Sequence, residues 1–286
     1  MLYLVGTLPI KGLELTVGEA VFDDRKLTVG AVNLVPCLGT ATMASAASVC
    51  CRELGIDPPH LITAGDIGDA AGSTKLYRFL SSHGIAGNAS VLCMHYLMPN
   101  ITHMKMALNS LRKRVHLTII ADAGSMYAAK AAHAESSFDI FTPDAGEMAY
   151  LADPDATHPA YVKHLLFTIE PSEIEALIYQ AYQNGNTPQT LLVKGPVDYI
   201  VHHGRIVQTV DSPSHPAMEA IGGTGDCLTG ILAALIAAGI ETVEACITAA
   251  RVNRIAGDMA QPDPATEVSS IIAQIPNALK EVSLCV

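Results

Sequence analysis

Gly222-Gly223-Thr224-Gly225-Asp226 stands directly before Cys227–Ala238, an apolar, helix-forming run. Glycine lets the backbone turn its N–H groups toward a bound group with no Cβ in the way. The helix that follows leaves its first N–H groups unpaired and carries a partial positive charge at that end. Together these features make an anion cradle suited to a phosphate or to a developing phosphoryl charge. Asp226 would repel an anion that merely bound there. It suits a site where a carboxylate takes a proton from a hydroxyl beside the phosphate. The segment reads as phosphoryl chemistry on an alcohol. Taken alone, it also fits a glycine turn capping a core helix, with Asp226 as a first-turn stabiliser.

Further polar signals sit where strands are expected to end. Asp122 closes Ile119-Ile120-Ala121-Asp122, and Thr142-Pro-Asp144-Ala-Gly-Glu147 leaves another strand with Glu147 at the start of a helix. Leu192-Val193-Lys194-Gly195 ends a third, and a late helix carries Asn253-Arg-Ile-Ala-Gly-Asp258. Each has a plain alternative as loop solvation, helix-start charge or a surface lysine. The shared place of the first three at strand ends makes them a candidate constellation, with the helix segment as a weaker signal.

The elements that must carry these residues alternate. Strands are expected at 29–35, 60–64, 90–94, 115–121, 139–142 and 190–194, with a hairpin of 198–202 and 205–210 turning at His203-Gly204. Helices are expected at 42–54, 73–82, 102–112, 125–134, 171–184, 224–238, 242–260 and 266–282. Strand-then-helix repetition implies an α/β fold, a mostly parallel sheet with helices on both faces. No linker or repeat divides the 286 residues, so a single domain over 1–286 is expected.

Composition bounds the rest. Half the residues are hydrophobic and 16% are charged, which predicts a large core. The net charge of −11 argues against nucleic acid or an anionic membrane as partner. The run 228–240 is too short to span a bilayer, and the amino-terminal residues lack the basic flank of a signal peptide. A cytoplasmic protein is expected, acting on a small molecule and assembling as a homo-oligomer. The seven cysteines show no metal-ligand spacing and suit reduced, buried thiols. His202 and His203 would face opposite sides of a strand, so they make a poor two-ligand site. Ala70-Ala-Gly-Ser-Thr-Lys75 lacks the Gly-Lys-Ser/Thr order of a phosphate loop.

In this order, the segments from about residue 115 onward resemble the ribokinase-like superfamily, and within it the ADP/ATP-dependent NAD(P)H-hydrate dehydratases. The family's Thr-Pro-His-Pro-Gly-Glu is similar to Thr142-Pro-Asp-Ala-Gly-Glu147, and its Leu-Lys-Gly to Val193-Lys194-Gly195. Its Thr-Gly-Gly-Thr-Gly-Asp resembles Ile221-Gly-Gly-Thr-Gly-Asp226, its Asp-Ala-Asp-Ala-Leu resembles Asp122-Ala-Gly-Ser-Met126, and its His-Gly-x-Ala-Gly-Asp resembles 253–258. The resemblance implies a ribokinase-like three-layer α/β/α fold and the transfer of a phosphoryl group from ATP or ADP, with Mg²⁺, to a substrate hydroxyl. Asp226 would be the catalytic base. Lys194, Gly195, Gly222, Gly223, Thr224, Gly225 and Asn253 would bind nucleotide, Asp122 and Asp144 would face substrate, and Glu147 would serve the metal.

The departures concern the substrate side. Gly124 replaces the second Asp of the first motif, and Asp144 replaces a histidine. The family's Gly-Pro-Gly-Leu-Gly segment is glycine-free here, Met94-His-Tyr-Leu-Met-Pro-Asn100. Met94, His95 and Tyr96 are therefore expected to narrow the pocket. That keeps open a second reading, a kinase of a small alcohol that releases a phosphorylated product. A nucleotide sensor without chemistry is the third, and Asp226 argues against it.

Overall fold

The computed structural model describes residues 1–114, 116–156, 173–263 and 265–282. Among them, β1 (Leu2–Leu8), β5 (His60–Gly65), β6 (Val91–His95), β7 (Thr118–Asp122), β8 (Ile140–Phe141) and β9 (Thr190–Val193) form the parallel centre of one sheet. Antiparallel strands extend it at both sides. On one lie β10 (Asp198–His202) and β11 (Arg205–Val210); on the other lie β2 (Thr16–Asp23), β3 (Lys26–Val29) and β4 (Val32–Leu34). The full order is β11-β10-β9-β8-β7-β6-β1-β5-β2-β3-β4.

Side chains of the central strands alternate between two cores, as successive residues of a strand must. Leu2, Leu4, Val91, Cys93 and Ile120 join the core that holds α1 (Thr40–Glu53), α7 (Thr224–Ala237), α8 (Thr242–Met259), α9 (Val268–Ile272) and α10 (Ile275–Glu281). Tyr3, Val5, Leu92, Met94 and Ile119 join the core of α2 (Ala71–Ser82), α3 (Ile101–Leu111), α4 (Gly124–Ala131), α5 (Ala145–Ala152) and α6 (Ile174–Gln183). The result is the three-layer α/β/α arrangement read from the strand–helix alternation.

α1 is composed largely of Ala, Ser, Thr and Cys, and it is buried on nearly every side. Small residues let α7 approach it closely. A Cβ on Gly230 would run into the Met43 carbonyl oxygen and lie 3.1 Å from the Ala46 side chain.

Three expectations need correction. The single strand expected at 29–35 is broken: Val29 ends β3, a turn made possible by Gly30 at φ +57° follows, and Val32–Leu34 form β4. The helix expected at 266–282 is two, α9 and α10, with Pro276 in the first turn of the second, where it costs no hydrogen bond. The amino-terminal sheet strands β1 and β2 were absent from the expected set. Val115 of the expected strand 115–121, and residues 171 and 172 of the expected helix 171–184, lie outside the described residues. Among the described residues no helix is long and apolar enough to cross a membrane.

Candidate active site

Asp122, Thr142 and Lys194 lie at or just beyond the carboxyl ends of β7, β8 and β9, and α7 begins beside them. Gly223, at φ 93° and ψ −5°, caps α7 in a conformation that favours glycine. Thr224, Gly225 and Asp226 form the first helical turn, and Asp226 is its acidic residue. They line a cavity of about 540 Å³ together with Asp122, Asp144, Glu147, Lys194, Gly195 and Asn253. The sequence-derived residues thus converge, except Gly222 and Gly223, which shape the turn, and Asp258 on α8; none of these three lines the cavity.

Asp226 is held from behind. Its Oδ2 accepts the Gly39 N–H at 2.6 Å, and its Oδ1 lies 2.8 Å from His95 Nε2. Burial alone would raise its pKa, but the His95 hydrogen bond and field, the Lys194 charge and the Gly39 N–H hold it below the ordinary carboxylate value. Gly39, at φ 70° and ψ −149°, precedes α1, so the amino ends of α1 and α7 both bear on this carboxylate. His95 Nδ1 is 3.2 Å from Thr40 Oγ1 at the start of α1.

Asp122 is 1% exposed and is satisfied from several sides. Lys194 Nζ and the Ala123 N–H, each at 2.8 Å, donate to its Oδ1; Thr229 Oγ1 donates to its Oδ2 at 2.7 Å. Burial acts to lower the Lys194 pKa. The carboxylates of Asp122 and Glu147 outweigh it, and the ammonium stays charged well beyond its usual range. Lys194 also lies against Gly225, where an added Cβ would sit 3.5 Å from Nζ.

Asp144 and Glu147 form a capping box on α5. The Glu147 N–H donates to Asp144 Oδ1 and the Asp144 N–H donates to Glu147 Oε2, both at 2.8 Å. Tyr127 Oη donates to Glu147 Oε1 at 3.3 Å. Burial and the Asp144 carboxylate push the Glu147 pKa up to about 8, against the pull of Lys194.

These carboxylates supply the hard oxygen donors that Mg²⁺ prefers. A second group, His95, Asp122 and Asp226, brings its ligand atoms within 4.8 Å of one another. There Lys194 already pairs with Asp122, and the imidazole nitrogen is a poor match for Mg²⁺.

On the far wall Arg254, 7% exposed, binds Asp198 Oδ2 through Nε at 2.7 Å. Its Nη2 donates to the carbonyls of Gly195 and Pro196, each at 2.9 Å. Beside it Asn253 Oδ1 is a buried atom with no hydrogen-bond partner among the described residues, on a side chain that lines the cavity.

Sequence reasoning missed Gly39, Thr40, Thr229 and Arg254, and it misjudged His95. Met94 and His95 do not narrow the pocket. Both are fully buried, Met94 in the core beneath the sheet and His95 behind Asp226; only Tyr96 lines the cavity, 45% exposed at φ 49°. The signal for His95 was available in the alternation of 91–95, which puts it on the same face as Val91 and Cys93, toward α1 and α7.

Residues 91–277 match the family described as NAD(P)H-hydrate dehydratase. The chain belongs to that family. An uncharacterized protein of Methanocaldococcus jannaschii is 40% identical over 220 residues, 77% of this chain and 90% of that one. The ADP-dependent (S)-NAD(P)H-hydrate dehydratase of Cenarchaeum symbiosum is 34% identical over 107 residues, 36% of each chain. The bifunctional NAD(P)H-hydrate repair enzyme of Hyperthermus butylicus is 40% identical over 91 residues, 31% of this chain and 16% of that enzyme.

Among solved structures, the ADP/ATP-dependent NAD(P)H-hydrate dehydratase of Bacillus subtilis, co-crystallized with ATP/Mg²⁺, aligns with a TM-score of 0.57 at 12% identity, covering 98% of this chain and 88% of that one. Phosphofructokinase-2 of Escherichia coli aligns equally well, with a TM-score of 0.57 at 16% identity over 98% and 99% of the two chains. The fold is ribokinase-like.

Proposed function

We propose that this member of the family is a nucleotide-dependent NAD(P)H-hydrate dehydratase, with Asp226 as the base. The observation that carries the reading is a carboxylate fixed in the first turn of α7, beside cavity-facing Thr224 and Gly225. Among the described residues no protein acceptor takes the N–H groups of Thr224 and Gly225. Those groups would receive the oxygens of the transferring phosphoryl group, with the charge of Lys194 alongside.

Asp226 would take the proton as the substrate hydroxyl oxygen bonds to phosphorus and the bond to the leaving nucleotide breaks. In a hydrated nicotinamide the phosphate then departs with the C–O electrons, and loss of a ring proton restores the double bond. Asn253 Oδ1 would accept a hydrogen bond from the nucleotide, and the Arg254 contacts would hold the Lys194–Pro196 turn against it. Asp144 and Glu147 would hold Mg²⁺, in part through water; bound there, the ion would offset phosphate charge. Asp122, which lines the cavity with Lys194 on one oxygen and Thr229 on the other, would hold the ammonium in place beside the substrate.

Tyr96 favours the second reading. A bulky ring stands where the family resemblance expects glycine, which suits a smaller alcohol as acceptor. One assay separates the two. Hydrated NADH with ATP or ADP and Mg²⁺ should regain the absorbance of reduced nicotinamide, with inorganic phosphate released in equal amount. No recovery, together with nucleotide consumption driven by a small alcohol and a stable phosphorylated product, would establish the kinase instead.

A further inference from the structure

Building on the reading of Asp226 as base, we infer that His95 is a positioning residue that aims the Asp226 carboxylate, with Thr40 bracing the imidazole from behind. Three elements meet to build this device. β6 ends at His95 with its side chain on the α1/α7 face, α1 opens with Gly39 and Thr40, and α7 presents Asp226. A Cβ on Gly6 would strike both Thr40 Oγ1 and the His95 carbonyl oxygen, so glycine at that point of β1 leaves the space the pair occupies.

The hydroxyl–imidazole–carboxylate order has the outline of a nucleophilic triad, but its hydroxyl end cannot act as one. Thr40 is 2% exposed and His95 0%, and neither lines the cavity. Asp226 is the member that does. The chain of bonds therefore runs toward the cavity and ends on a carboxylate, which is the arrangement for fixing a base. A carboxylate in the first turn of a helix can rotate about two side-chain torsions. One donor on each oxygen, Gly39 N–H on Oδ2 and His95 Nε2 on Oδ1, fixes both and leaves the remaining lone pairs for a substrate hydroxyl. The other charged groups near the imidazole are Asp122, whose Oδ2 is 3.6 Å from Nε2, and Lys194, which is paired to Asp122.

Two measurements test this. In a proton spectrum of the ¹⁵N-histidine-labelled protein, the His95 Nε2–H should give a low-field resonance slow to exchange with water, and Asp226→Ala should abolish it. If no such resonance appears in the wild type, or if Asp226→Ala leaves it unchanged, the pairing is wrong. In the hydrate assay, His95→Leu should lower kcat by about 10- to 100-fold, the cost of a small misplacement of a reacting group, while KM stays near its wild-type value. His95→Gln, whose amide can place an N–H near the Nε2 position, should recover most of the loss. Retention of the wild-type melting temperature rise with ATP establishes that each variant is folded. Equal turnover in the Leu and Gln variants would reduce His95 to a core filler and overturn the inference. Asp226→Asn runs in parallel: wild-type turnover there overturns the base assignment itself, whereas an inactive Asp226→Asn beside a fully active His95→Leu overturns only the role of His95.

Discussion

Lys194 Nζ donates to Asp122 Oδ1 at 2.8 Å, across the intervening strand β8, and the two side chains are 13% and 1% exposed. The pair ties the ends of two sheet strands together under the cavity, with Thr229 of α7 on the second carboxylate oxygen. Removing the cation leaves Asp122 as a buried charge without its counterion. Lys194→Met is expected to cost about 3–5 kcal/mol of stability, the usual range for breaking a buried pair from one side. The double variant Lys194→Met with Asp122→Leu should recover part of that loss. Urea unfolding of the three variants measures the coupling, and a loss no larger than that of an exposed pair would contradict the buried arrangement.

Glu147 gives the protein a pH dependence with a defined sign. Its pKa stands at about 8 in the folded chain against 4.5 for the ordinary side chain, because burial and the Asp144 carboxylate disfavour the charged form. Between these two values the native state binds the proton that the unfolded state has released, so stability falls as pH rises through the window. Without divalent cation, thermal stability should decline from pH 5 to pH 8 more steeply in the wild type than in Glu147→Gln. Magnesium, which selects the ionised carboxylate, should stabilise the wild type more at pH 8 than at pH 6, and the Gln variant less at both. A wild type and variant with parallel pH profiles would place Glu147 in the ordinary carboxylate range.

The close crossing of α1 and α7 at Gly230 holds up the site from a distance. Gly39 and Asp226, which bond to each other, stand at the amino ends of these two helices. Gly230→Ala must push the helices apart at the Met43 carbonyl, and overpacking of this kind costs about 1–3 kcal/mol. Turnover should fall beyond what the lost stability explains when assayed well below the melting temperature, because the Gly39–Asp226 bond lengthens. Chemical denaturation and kcat at low temperature separate the two effects.

How much of this was legible in the sequence depended on the range of the interactions. The strands 60–65, 198–202 and 205–210 and the start of α7 at Thr224 follow from local patterns, β-branched runs and a glycine turn, and they fall within a residue or so of expectation. The motifs carrying Asp122, Glu147, Lys194 and Asp226 were visible because each sits where a strand ends or a helix begins. The amino-terminal sheet was harder. β2, β3 and β4 form an antiparallel edge in which exposed and buried residues alternate over short spans, and Gly30 breaks what reads as one run.

His95 escaped because its partners are 55 and 131 residues away, and nothing local distinguishes a buried histidine that packs from one that aims a carboxylate. Arg254 was missed for a similar reason. Its role is fixed by Asp198, the carbonyls of Gly195 and Pro196 and the carbonyl of Asp211, none of them near it in the chain.

Arg254 also carries the last prediction. Its guanidinium spends one edge on Asp198 and the rest on backbone carbonyls, a fixed fork that an ammonium cannot reproduce. With Arg254→Lys, the turn through Gly195 and Pro196 loses at least one of the bonds that hold it against the cavity. Asp198, whose pKa burial raises against the pull of Arg254, loses part of its compensation. The variant should fold, since a cation remains beside Asp198, yet it should bind nucleotide more weakly and show a smaller rise in melting temperature with ATP. The effect on KM for nucleotide should exceed the effect on kcat, because Arg254, on α8, braces a binding wall through Asp198 and the Gly195 and Pro196 carbonyls and makes no bond to Asp226. Titration calorimetry with ATP and with ADP measures the first expectation and steady-state kinetics the second. Unchanged nucleotide affinity in Arg254→Lys would place the phosphate chain on another wall of the cavity, away from the Lys194–Pro196 turn.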